Sequence, residues 1–77
     1  MLIGNRLNPN SVVNTELVTD YFKKDNPNGT KPFSIYFGFS SATSGEQVCV
    51  VWEFEKKEDR DAQWNNLMGA MSVQFFD

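Results

Sequence analysis

Histidine is absent from the chain, and with it the one side chain whose ordinary pKa lies between about 5 and 8. Cys-His nucleophile pairs and Ser-His-Asp triads are therefore excluded together. Cysteine occurs once, as Cys49, so no internal disulfide can form. No apolar run approaches the roughly 18 residues of a membrane-spanning helix, and the opening residues Met1 to Arg6 lack the charged and long apolar regions of a secretion signal, which makes the cytoplasm the expected compartment. Basic residues are scarce. Seven Lys and Arg face ten Asp and Glu, for a net charge of −3, and only Lys23-Lys24 and Lys56-Lys57 are adjacent. Phosphate-backbone binding needs clustered cations that release counterions, so nucleic acid is not an expected partner. Gly29, Gly38 and Gly45 stand alone and form no phosphate-cradling loop. Glu58, Asp59 and Asp61 lack the spacing of a calcium loop. No metal and no cofactor is expected.

What the chain does have is aromatic volume. Seven Phe, two Tyr and two Trp stand among 77 residues, each able to bury about 150–250 Å². This length supports one domain, residues 1–77, and a chain so short buries only about 60 % of its unfolded surface. An aromatic-rich chain of this size suits a core shared with a second copy.

The periodicities predict six elements. Met1 to Leu7 alternates as a short strand, and Asn8-Pro9-Asn10-Ser11 breaks it. Val13, Leu17 and Tyr21, flanked by Val18 and Phe22, recur at helical spacing and predict a helix from about Asn14, or a few residues earlier, to Lys24. Asn14 suits its cap, and Lys23 and Lys24 suit its negative end. Asp25 to Thr30 carries dense turn chemistry. Phe33 to Ser40 is the clearest strand, with Phe33, Ile35, Phe37 and Phe39 on one face and Ser34, Tyr36, Gly38 and Ser40 on the other. Ser40 to Gly45 reads as a loop of small residues, and Val48 to Glu55 as the returning strand of a hairpin. In that strand Val48, Val50, Trp52 and Phe54 share one side, while Cys49, Val51, Glu53 and Glu55 share the other. A second helix follows from about Lys57 to Gly69, with Trp64, Leu67, Met68 and Met71 as its apolar stripe and Gly69 closing it. Ser72 to Phe76 reads as a terminal strand.

This order, βαββαβ, predicts an α+β fold of the ferredoxin-like kind, a four-stranded antiparallel sheet with two helices on one face. The other face stays partly apolar whichever side the helices cover, because Tyr36, Cys49 and Val51 oppose the Phe and Ile positions. Apolar sheet faces of several hundred Å² mark interfaces or ligand sites, and the simplest cover is a two-fold homodimer through the sheet.

The stretch Val50-Val51-Trp52-Glu53-Phe54-Glu55-Lys56-Lys57-Glu58-Asp59-Arg60-Asp61-Ala62-Gln63-Trp64 resembles the dimeric α+β barrel superfamily, its NIPSNAP-like and antibiotic-biosynthesis-monooxygenase-like branches in particular. In those families an aromatic strand ends in a polar turn, and the next helix opens with acidic residues, Arg-Asp-Ala and an aromatic. The similarity extends over Val50 to Phe76; elsewhere only the element order agrees. It implies a ferredoxin-like protomer paired through its sheet. In the members that bind small molecules, a pocket lies between sheet and helices. The lack of histidine removes the branches that use it as haem ligand or acid/base.

The residues that would line such a pocket are Arg6, Tyr36, Trp52, Glu53 and Trp64. Glu53 reads first as a strand-end carboxylate that reaches water or pairs with Arg6, and second as a general base of raised pKa. Trp52 and Trp64 read as core before ligand wall. Tyr36 has small neighbours beside its ring. Arg6 suits an anionic group. Cys49, between valines, reads as a buried inert thiol. Two functions compete. The first is a non-catalytic, homodimeric assembly or regulatory module; the second is a binder of a small apolar or aromatic molecule, or a cofactor-independent enzyme acting on one.

Overall fold

The computed structural model describes residues 1–40 and 47–76. Five strands and one α-helix make up the described chain: β1 (Leu2–Asn5), β2 (Asn8–Asn14), β3 (Asp20–Asp25), β4 (Phe33–Ser40), β5 (Gln47–Phe54) and α1 (Lys57–Ala70). They form a two-stranded sheet, β1-β2, and a three-stranded sheet in the order β3-β4-β5, with antiparallel pairing throughout. The class is α+β, but the four-stranded ferredoxin-like sheet with two helices on one face is not what forms. The expected loop from Ser40 to Gly45 lies almost wholly outside the described residues.

The first expected helix is where the two arrangements part. Asn14 does cap a turn, its Oδ1 accepting from the Glu16 amide at 3.1 Å, yet that turn is a 3₁₀ segment of three residues, Thr15–Leu17. The chain then extends into β3. Thr15, Val18, Thr19, Tyr21 and Phe22 are β-branched or aromatic, types that lose rotamer freedom in a helix and pack well on a pleated sheet. Leu17, the middle residue of the supposed stripe, is 64 % exposed. Tyr21 instead pairs with Phe37, and Phe22 with Tyr36, across the β3-β4 ladder.

The expected break at Asn8 to Ser11 is a bulged strand. From Ile3 to Asn5, two residues along β1, the partner strand runs from Val13 to Asn8, five residues, so β2 carries three extra. Pro9 is tolerated there because a bulged edge strand asks for no ladder bond from its nitrogen. The bulge also turns the Ser11 carbonyl inward, where it accepts from Trp52 Nε1 at 2.8 Å.

One face of the three-stranded sheet is covered in large part by α1 and the β1-β2 hairpin, while Val48 on the same face stays 57 % exposed. Val13, Ile35, Phe37, Trp52, Phe54, Leu67 and Met68 are the buried core. Trp52 meets Phe37 edge-on with centroids 4.6 Å apart, and Phe37 meets Tyr21 likewise at 5.7 Å. Burial holds the Tyr21 hydroxyl above its ordinary pKa. Each of these large apolar side chains contributes about 1.5–3 kcal/mol relative to exposure.

α1 follows the expected stripe. Leu67 and Met68 are buried, Trp64 and Met71 pack against them, and one turn earlier Arg60 is buried too. Its end differs. Ser72, not Gly69, closes the helix, with a left-handed φ of 54° and hydrogen bonds donated by the Ser72 amide to the Gly69 carbonyl and by the Val73 amide to the Met68 carbonyl, the pair that satisfies the last helical carbonyls. This closure throws the following residues off the sheet. No terminal strand forms from Ser72 to Phe76, and Phe75 and Phe76 are exposed.

Arg60 joins the helix to the sheet. Its Nη1 bonds the Asp25 carboxylate at 2.9 Å and the carbonyls of Lys24 at 3.2 Å and Ser34 at 3.4 Å, and its Nε bonds Asp61 at 2.7 Å. Burial alone disfavours the charged guanidinium, but the hydrogen bonds it donates to Asp61 and Asp25, with the charges of both, outweigh it and leave its pKa raised. The Arg60 hydrogen bond holds the Asp61 carboxyl below its ordinary range; desolvation opposes this, and the charges of Arg60, Lys23 and Lys57 reinforce it.

Truncation by Arg60→Ala removes the donor from two strand carbonyls and is expected to cost about 2–4 kcal/mol in urea unfolding, with Arg60→Lys in between. A loss below about 0.5 kcal/mol, the range of an ordinary surface substitution, would remove Arg60 from this role. Because the folded pKa of Asp61 is lowered, its contribution is complete above the unfolded carboxylate value, near pH 4, and fades as pH falls through the folded value. Asp61→Asn should therefore flatten the acid limb of a stability-against-pH profile while leaving the slope near neutrality unchanged.

Candidate interface on the open sheet face

The side chains of a strand alternate between faces, so each β3, β4 and β5 residue that points away from the core lies on the second face. Register places these residues in three rows: Phe22, Tyr36 and Val51 across the middle, Lys24, Ser34 and Glu53 on one side, Asp20, Gly38 and Cys49 on the other. Along β4, Ser34 and Gly38 are buried and Tyr36 is half-buried, as is Val51 on β5, while Asp20, Phe22, Lys24, Cys49 and Glu53 on the outer strands are exposed. Phe22 and Tyr36 stack with centroids 4.9 Å apart and planes 13° from parallel. Lys24 Nζ stands 5.7 Å from the centre of the Tyr36 ring. The middle row is thus a short aromatic and aliphatic band, with Phe22 40 % exposed, a cation leaning over its centre and a carboxylate at its β5 end.

The Glu53 position is fixed from the backbone. Its amide donates to Asn8 Oδ1 at 2.9 Å, and its carbonyl accepts from Asn8 Nδ2 at 3.1 Å, so one amide side chain imitates a neighbouring strand. Asn8 Nδ2 also donates to Asn5 Oδ1 at 3.2 Å, and Asn5 Nδ2 donates to Gln63 Oε1 at 2.8 Å. A relay of amides therefore runs from α1 through the hairpin to the edge of β5. Nothing in the periodicity of the sequence pointed to Asn5, Asn8 or Gln63, because amide pairs that cross elements carry no repeat.

The five residues expected to line a pocket do not converge. Trp52 is fully buried on the covered face, bonded to Ser11 and packed on Phe37. Trp64 lies half-buried on α1 against the edge of the core, with Lys23 Nζ 5.5 Å from its ring. Arg6 sits in the exposed turn between β1 and β2. Only Tyr36 and Glu53 share a surface, the open face. Cys49, read from sequence as buried, is exposed there: β5 is the edge of its sheet and, among the described residues, no second layer covers it.

Two depressions mark the described surface. One, of about 180 Å³, lies between Leu7, Lys31 and the stretch from Glu53 to Lys56, below the roughly 300–1,000 Å³ of small-molecule sites. The other, of about 430 Å³, surrounds Arg60 with Asp25, Asp61, Lys23 and Lys57. Its lining is wholly charged and it has no apolar wall to hold a ligand's body. Among the described residues no three His, Cys, Asp or Glu side chains are grouped to hold a metal ion, and no helix is long and apolar enough to cross a membrane.

An exposed Cys49 predicts that the protein, at concentrations where it is monomeric, consumes about one equivalent of a water-soluble thiol reagent without denaturant. Reaction only after denaturant is added would mean that the face is covered. No protein-family model matches the chain, and neither a curated protein nor a solved structure matches it.

Proposed function

We propose that the protein is a non-catalytic homodimeric module, for assembly or regulation, that pairs with a second copy through the open face of β3-β4-β5. The observation that carries this reading is the Phe22-Tyr36-Val51 band, with Phe22 exposed and Tyr36 and Val51 half-buried, on the side of the sheet opposite the described core. Apolar bands rimmed by polar residues are the usual form of an association site. Without histidine, the face offers Tyr36, Glu53 and Cys49 but no neutral-range acid/base partner for any of them, which favours association over chemistry.

Size sets the strength of the pairing. Three strands about 4.8 Å apart and five residues at a rise of about 3.4 Å span a few hundred Å² per copy. An interface of that extent falls in the small class, below about 1,200 Å² in total, that gives reversible, concentration-dependent pairs.

Sedimentation velocity from about 1 μM to about 1 mM tests the proposal. Wild type is expected to shift from monomer to dimer within that range, while Tyr36→Asp stays monomeric at every concentration with an unchanged circular dichroism spectrum. A wild type that remains monomeric near the upper limit, or a Tyr36→Asp variant that dimerises equally well, would refute it.

A further inference from the structure

The three rows of the open face hold a charge pattern that a second copy complements under a two-fold axis, and the carboxylate without a partner in its own protomer picks the axis. Lys24 and Glu53 lie in the same row, at its two ends, on the outer strands β3 and β5. A two-fold axis parallel to β4 keeps each row in place and exchanges the outer strands. Under that operation Tyr36 meets its own symmetry mate, Phe22 meets Val51 of the partner subunit, and Lys24 meets Glu53 of the partner subunit. The reciprocal contact repeats the ion pair, so one operation buries the whole apolar band and creates two opposite-charge contacts, while Asp20 meets Cys49 of the partner subunit. Resting on the reading of this face as the self-association surface, we infer that the dimer axis runs along β4 and that the Lys24–Glu53 pair between copies makes a second copy of this chain the fitting partner.

The alternative axis, across the strands, keeps each strand over itself and exchanges the outer rows. It also makes two opposite-charge contacts, Lys24 against Asp20 of the partner subunit, and sets Glu53 against Cys49 of the partner subunit, so the two axes match in charge and differ in which carboxylate the lysine meets. Asp20 already has an interaction within its own protomer. The Glu53 carboxylate differs: among the described residues its hydrogen bonds to Asn8 are made by the backbone amide and carbonyl alone, and no ion pair of the protomer uses its side chain. The groups that meet under the axis along β4 are also held in place beforehand. Lys24 leans over Tyr36, its carbonyl is gripped by Arg60, and Asn8 fixes the backbone of Glu53. Sheets that pack face to face keep their strands within about 30° of each other, an offset that the long Lys24 side chain can span.

Charge reversal separates the possibilities. Lys24→Glu places four carboxylates at the two contacts and Glu53→Lys places four ammonium groups there, so each variant alone is expected to dimerise at least about tenfold more weakly than wild type. An equimolar mixture of the two restores both contacts. The introduced carboxylate of one variant then faces the introduced ammonium of the other, and the unchanged Glu53 of the first faces the unchanged Lys24 of the second. The mixture is expected to form a heterodimer as tight as the wild-type dimer and weakened by added salt. Dissociation constants come from sedimentation equilibrium, with thermal melts to show that each variant is folded. If wild type dimerises but Glu53→Lys dimerises as well as wild type, or the mixture recovers nothing, the axis is wrong while the open-face dimer stands. If wild type does not dimerise, both fall.

Discussion

A guanidinium taken out of water must have its donors and its charge met on the spot, and Arg60 meets this demand with groups from three separate elements. Asp61 lies beside it on α1, Asp25 closes β3, and the carbonyls of Lys24 and Ser34 belong to β3 and β4. The Phe33 ring lies 5.5 Å from the guanidinium carbon, adding an aromatic face to the enclosure. These bonds tie the start of the helix to one end of the β3-β4 hairpin. From there the helix axis leads Trp64, Leu67, Met68 and Met71 across the sheet, and they cover the aromatic side of β4 and β5.

Once that side is covered, the rest of the arrangement follows from what remains unburied. Trp52 projects past the helix and needs a partner for its indole nitrogen; the bulge in β2 supplies the Ser11 carbonyl. The edge of β5 at Glu53 needs a partner for its amide and carbonyl, and Asn8 provides both. Helix and hairpin are then committed to the same side of the sheet. Among the described residues, neither helix nor hairpin lies over Phe22, Tyr36, Val51 and Cys49 on the second face, and that asymmetry is the physical basis for reading it as an interface.

Legibility in the sequence tracked the strength of the local repeat. β4, β5 and α1 are plain in it, because alternation of period two through Phe33 to Phe39 and Val48 to Phe54, and the helical stripe from Trp64, each have one interpretation. The region from Asn8 to Asp25 has two. Val13, Leu17 and Tyr21 fit a helix by spacing, while the β-branched and aromatic composition fits strands, and the β4 edge, waiting for Tyr21 and Phe22, decided between them. That edge is a tertiary fact with no local trace. Arg60 stands four residues before Trp64, on the line of the buried stripe, so its place on the helix was open to inspection; what hid it was the rule that charged side chains stay outside. Of the expected pocket residues, Tyr36 and Glu53 landed together because both belong to the alternating strands. Trp52 was withdrawn into the core by the same alternation, and the amide relay through Asn5, Asn8 and Gln63 had no pattern to reveal it.

The covered and open faces are proposed to differ in purpose, the one holding the fold and the other meeting a second copy. Isotope-filtered nuclear Overhauser spectroscopy on a mixture of labelled and unlabelled protein examines this directly, since it reports only contacts between copies. Intermolecular contacts are expected from the Tyr36 ring to Tyr36 and from the Phe22 ring to the Val51 methyls, with none from Trp52 or Leu67. Intermolecular contacts confined to the hairpin, the helix or the residues after Ser72, with the Tyr36 ring silent, would contradict it.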